Sequence, residues 1–145
     1  MKKNIVPFYL VLLLGALLGG RTSSATETRI VGQEAAAMFD LLVEAGTAVQ
    51  SGHGLMGVMV TSLTCTQAKT MLFPSECSMT ILDETGTDVE KGIQGDLAAR
   101  LTEALIHAGA GSCAMESCVA TVESVICMNA LPANAGDRQP ECVLE

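Results

Sequence analysis

Apolar residues recur at helical spacing twice in this chain. Ala35, Met38, Leu42 and Ala45 line one face of a 3.6-residue period, and Ala98, Leu101, Leu105 and Ala108 line another; each set predicts an amphipathic helix. Gly46 and Gly109 follow where a left-handed C-terminal residue is wanted, and Asp96 suits the N-cap of the second helix. Beyond each helix the period changes to two. Met59, Leu63 and Cys65 share one face of a strand, and Cys77, Met79 and Ile81 share one face of its return. Val125, Cys127, Cys142 and Leu144 repeat the arrangement.

The two patterns are one segment read twice. Ile30 to Gly46 lies over Ile93 to Gly109 without a gap, with seven identities in seventeen positions: Ile30, Gly32, Ala35, Ala36, Leu42, Ala45 and Gly46. Met38, Asp40 and Val43 meet the similar Leu101, Glu103 and Ile106. After one residue is dropped, Val60 to Cys65 falls on Val122 to Cys127, and Cys77 corresponds to Cys142. Each unit reads helix, strand, cysteine, loop, cysteine, strand. The predicted fold is therefore α+β: two tandem α-β-β repeats, 30–82 and 93–145, sharing an antiparallel four-stranded sheet with both helices on one face. Residues 83–92 between them are acidic and lack apolar periodicity, which predicts a solvated linker. Asp83, Glu84, Asp88 and Glu90 do not have the spacing of a calcium loop.

Ahead of the repeats, Lys2 and Lys3 precede an apolar run from Ile5 to Leu18, and Ser23-Ser24-Ala25 offers small residues for cleavage. Residues 1–25 are expected to be a secretory signal, leaving 26–145 as a single disulfide-rich domain that is periplasmic or secreted. The run is short for a membrane span, and no cysteine follows it in the leader, so no membrane attachment is expected after cleavage. Loss of the leader removes three cationic residues and no acidic one. Five cations then face sixteen acids, a net charge of −11. Such a surface repels phosphate backbones and anionic lipids, which argues against nucleic acid and favours solubility or a basic partner.

Six cysteines in an oxidising compartment supply the cross-links from which a domain with few aromatics benefits. Sequence alone allows fifteen pairings. The internal alignment favours a bridge within each hairpin, Cys65 with Cys77 and Cys127 with Cys142, leaving Cys113 with Cys118. Each hairpin bridge would contribute about 3 kcal/mol by the chain-entropy estimate. No CxxC spacing points to zinc or thiol redox chemistry, so no metal site or cofactor is assigned.

Candidate chemistry is sparse. His107 stands where the first copy has Glu44, a mark of a solvent-facing position. His53 with Met56 and Met59 offers soft ligands of the kind copper prefers, the basis of a copper-binding alternative. Ser51 beside His53 has no nucleophile-elbow glycines around it, and no catalytic residues are assigned. More distinctive are the hairpin loops. Met71, Leu72, Phe73 and Pro74 form an apolar tip inside the 66–76 loop, and Leu131 and Pro132 stand in a similar place in the second. A proline-stiffened tip held by a disulfide at its base either folds back to cover the open end of the sheet or is pre-organised for a protein partner's groove.

This arrangement resembles small exported bacterial proteins with tandem helix-plus-two-cysteine units and no assigned activity. In plan it is also similar to the beta-lactamase inhibitor protein family, which stacks two alpha/beta repeats with one disulfide in each. The latter resemblance covers the mature chain as an arrangement, and no binding residue carries over. The sequence reading is thus a non-enzymatic, exported, disulfide-stabilised interaction or structural module. Its alternatives are an inhibitor of an extracellular hydrolase acting through the 66–76 loop, and a periplasmic copper-binding protein.

Overall fold

The structure, a computed structural model, describes residues 26–68, 74–132, 136 and 138–145. Its elements in chain order are β1 (Thr28–Val31), α1 (Gln33–Glu44), β2 (Gln50–Gly52), β3 (Leu55–Ala68), β4 (Glu76–Leu82), β5 (Asp88–Gln94), α2 (Asp96–His107), β6 (Gly111–Cys113), β7 (Ser117–Ala130) and β8 (Glu141–Leu144). The fold is α+β, with two helices on a largely antiparallel sheet.

Among the described residues eight strands form that sheet, where four were expected. Its order is β1-β8-β7-β3-β4-β5, with β2 added on β3 and β6 on β7. The expected strands are its centre; β1, β2, β5 and β6 are additions. Three or four residues carry too little alternation to announce β1, β2 or β6. The linker read over 83–92 is likewise corrected, because Asp88–Gln94 pairs along the whole of β4 and only the tight turn before it remains. β5 is a polar edge strand, and its charges are what an edge carries to discourage further pairing.

Both helices end alike. Gly46 and Gly109 have φ of 96° and 84°, and their N–H groups donate to Val43 and Ile106. The next N–H groups, of Thr47 and Ala110, donate to Leu42 and Leu105, completing two Schellman caps. At the other end the N-cap is not Asp96. Gly32 and Gly95 occupy the two N-cap positions with φ of 74° and 80° and no side-chain cap. Asp96 lies in the first turn of α2 and binds Arg100 instead.

The core lies between the helices and one face of the sheet. Met38 and Leu42 of α1 and Leu101 and Leu105 of α2 are buried against Val58, Val60, Leu63, Met79, Val125 and Leu144. Met59 is not among them, contrary to the strand parity read from sequence. Ser62 has φ of 56°, and β3 carries an extra residue against β4 between Thr61 and Thr64. This bulge shifts the alternation by one, so Val58 and Val60 share the inner face with Leu63 and Cys65 while Met59 turns outward.

All three disulfides pair as the internal alignment favoured: Cys65–Cys77, Cys113–Cys118 and Cys127–Cys142. Each joins residues directly opposite one another on adjacent strands. Cys142 Sγ lies 3.4 Å from the Ala35 carbonyl oxygen, and Cys77 Sγ lies 3.6 Å from that of Ala98. Ala35 and Ala98 are fully buried, so each helix begins by resting a methyl-sized residue on a sulfur bridge.

The turn before β5 is organised by Asp83. Its Oδ1 accepts from the Thr85 hydroxyl at 2.7 Å and from the Thr85 and Thr87 N–H groups at 2.9 Å. These bonds, the Thr85 hydroxyl foremost, hold the Asp83 carboxyl below the usual aspartate range. A depressed folded-state value stabilises the fold above the ordinary aspartate pKa and loses that stabilisation as pH falls through the folded value. The difference in melting temperature between wild type and Asp83→Ala is therefore expected to be constant near neutrality and to shrink below the ordinary aspartate range. In the core, Ala98→Leu is expected to cost about 1–3 kcal/mol in denaturant titrations, since no space separates α2 from the bridge beneath it.

Candidate interaction surface

The helices cover one face of the sheet and leave the other open. Its outward residues follow from the strand registers. Met59 stands opposite Ile126, Ile126 opposite Val143, and Val143 opposite Arg29. In the next row Gly57 faces Met128, which faces Glu141, which faces Val31. Leu55 lies on the same face beyond Gly57. Cross-strand neighbours are about 5 Å apart, so these side chains form one apolar patch.

The patch is open to solvent. Val31 is 55% exposed, Met59 39%, Ile126 38% and Met128 40%. Burying large apolar side chains yields about 25 cal/mol per Å², so a patch of four or more left outside is a strong docking signal. At one end it sinks into a dent of about 420 Å³ bounded by Val31, Leu55, Met128, Arg138 and Glu141. Arg29 borders the patch and bridges to Glu141 at 3.0 Å and Glu27 at 3.2 Å. The rim thus presents both signs of charge.

The aligned positions in the other half of the sheet differ in chemistry. Thr121 stands for Met59, Thr64 for Ile126, Thr66 for Met128, Ser78 for Val143 and Gln94 for Val31. Thr64, Thr66, Glu76, Ser78 and Gln94 border a second dent, of about 400 Å³, in that half. One half of the open face is mainly apolar, and its counterpart is mainly hydroxyl-lined, with Val119 exposed opposite Thr66.

The loop residues predicted from sequence do not form this surface. Met71, Leu72 and Phe73 lie outside the described residues, while Pro74 and Pro132 are exposed and Leu131 is half-buried. β3 and β7 run antiparallel from Leu55–Ala130 to Ala68–Ser117, so the two loops leave opposite ends of the sheet, roughly 40 Å apart. They cannot grip one small partner feature together.

The candidate metal and hydrolase groups are not gathered either. His53 and Gly54 are the central residues of the β2–β3 turn, with φ of 52° and 77°, which the tight hairpin requires. Met56 packs toward the core while Met59 lies on the opposite face, so the soft-ligand trio is split by the sheet. Among the described residues no hydrogen bond or ion pair joins Ser51 to His53, and no three His, Cys, Asp or Glu side chains are placed to hold a metal ion. Nor is any helix among them long and apolar enough to cross a membrane. His107 is exposed at the end of α2. The chain matches no known protein family, curated protein or solved structure.

Sequence reading missed the patch because the bulge at Ser62 hides it: by simple alternation Met59 belongs with Leu63. The detectable signal was β7, where Ile126 and Met128 are apolar at positions facing away from Cys127. An environment-sensitive apolar dye is expected to bind the native protein, and Met59→Lys/Ile126→Lys is expected to remove most of that signal with the melting temperature unchanged.

Proposed function

We propose that this chain is an exported, non-enzymatic interaction module that docks the apolar surface of a protein partner on the Met59–Ile126–Met128 half of its open sheet face. The observation that carries the reading is the exposure of those residues on a rigid, disulfide-braced sheet, beside a hydroxyl-lined counterpart that lacks them. Backbone order is provided by the fold, so a partner meets a surface whose conformational cost is already met. The partner's contacting surface carries apolar side chains ringed by charges of both signs, matching Arg29, Arg138 and Glu141.

Export is supported by the leader-like residues 1–25 and by three disulfides, which persist in oxidising compartments. The net charge of −11 on the remaining chain disfavours nucleic acid and anionic lipid as partners. A tandem origin belongs to the same reading. It is supported by the seven identities between 30–46 and 93–109 and by the recurrence of strand, helix, short strand, long strand and strand. Duplication then supplied two equivalent sheet halves, one of which took up binding.

A partner captured from the exported fraction, purified and titrated against wild type and Met59→Lys/Ile126→Lys, is expected to bind the double variant about tenfold or more weakly at equal thermal stability. Equal affinity for both proteins would overturn the reading.

A further inference from the structure

The two ends of the helix pair are aligned in sequence, yet one is closed by an arginine and the other is not. Where α2 begins and α1 ends, Arg100 donates from Nη2 to Glu44 Oε1 at 2.8 Å and from Nε to Asp96 Oδ2 at 2.9 Å. Leu97 of α2 and Leu41 of α1 are half-buried at this end. Where α1 begins and α2 ends, the aligned residues are Ala37 for Arg100, Ala104 for Leu41 and Glu34 for Leu97. The long side chain and both leucines are missing together.

What remains is a notch of about 260 Å³, floored by Ile30 and Met38 and flanked by Ala37 and Ala104. Ala37, which lines it, stands where the opposite end has Arg100. Acceptors remain at its rim. Glu34 lines the notch and makes no ion pair among the described residues. His107 also lines it and takes the place of Glu44, while the exposed Gln33 takes that of Asp96. A carboxylate and an imidazole thus border an apolar slot on a chain of strongly negative charge.

We propose that this notch receives an arginine side chain of a basic protein partner, which supplies in trans the guanidinium that Ala37 cannot. The alkyl stem lies on Ile30, Met38, Ala37 and Ala104. The planar head donates to Glu34, with His107 as a flanking acceptor, a use for which arginine's fixed fork is better suited than lysine's point charge. The site lies on the helix side of the molecule, opposite the sheet patch, and does not depend on it.

The test titrates the intact mature protein with butylguanidinium at millimolar concentration, the range expected of a single side chain, and follows amide and methyl resonances by NMR. The expected result is saturable shifts confined to residues around Ala37, Ala104 and His107, with binding weakened about threefold or more in Glu34→Gln. In Ala37→Arg/His107→Glu, which builds the Arg100–Glu44 pairing into the second end, the shifts are expected to vanish while the fold and its disulfides persist. Met59→Lys/Ile126→Lys should bind butylguanidinium as wild type does, so failure of the sheet-face reading leaves this result intact. Equal binding of pentanol and butylguanidinium, shifts scattered over the acidic surface, or full binding by Ala37→Arg/His107→Glu would each overturn the proposal.

Discussion

Each helix of this protein rests on a sulfur bridge that belongs to the other half of the chain, and the architecture depends on that crossing. Ala35 of α1 sits against Cys142, and Ala98 of α2 sits against Cys77. The strands cross over in the same sense: β1 pairs with β8, and β5 pairs with β4. Neither half closes its own sheet edge or covers its own disulfide. The two disulfides pin the hairpins on which the helices sit, the alanines let the helices approach, and the long antiparallel contact of β3 with β7 joins the halves. Removing bulk at Ala35 and Ala98 is what makes a helix-on-disulfide contact fit at all; larger residues there would lift the helix from the core.

The residues shared by the aligned segments are those this packing requires. Ala35, Leu42 and Ala45 are buried, Gly32 begins α1, and Gly46 ends it. Some differences lie in the core, where buried Phe39 stands against buried Thr102, and others fall on surfaces. On the open sheet face, methionine, isoleucine and valine in one half stand against threonine and serine in the other. On the helix side, an arginine bridge at one end stands against an alanine-lined notch at the other. Both proposed sites lie where the aligned segments differ in chemistry.

Electrostatics adds a second layer. The acidic residues lie mainly on turns, edge strands and outer helix faces, where water screens them and where they oppose association along strand edges. Beside the apolar patch Arg29 and Arg138 offset Glu27 and Glu141, so the patch is a place where another surface meets little uncompensated charge. The notch is different, because Glu34 keeps its carboxylate at the rim without an ion-pair partner among the described residues. The two faces therefore suit different contacts.

What the sequence determined by itself is the local structure whose signal spans enough residues: both helices with their glycine stops, the central strands around the cysteines, and the pairing of all six thiols once the segments were aligned. It also placed His107 outside. Short strands, the role of residues 88–94 and the true N-caps were not legible, because three or four residues of alternation cannot be told from a loop. Both proposed sites were decided only by the tertiary structure. A bulge with one left-handed serine reverses which side of β3 faces water, and no periodicity announces a shift that exists only against a neighbouring strand. The notch exists because two helices far apart in sequence pack with their ends juxtaposed, and a missing side chain becomes a cavity only when its neighbours are in place.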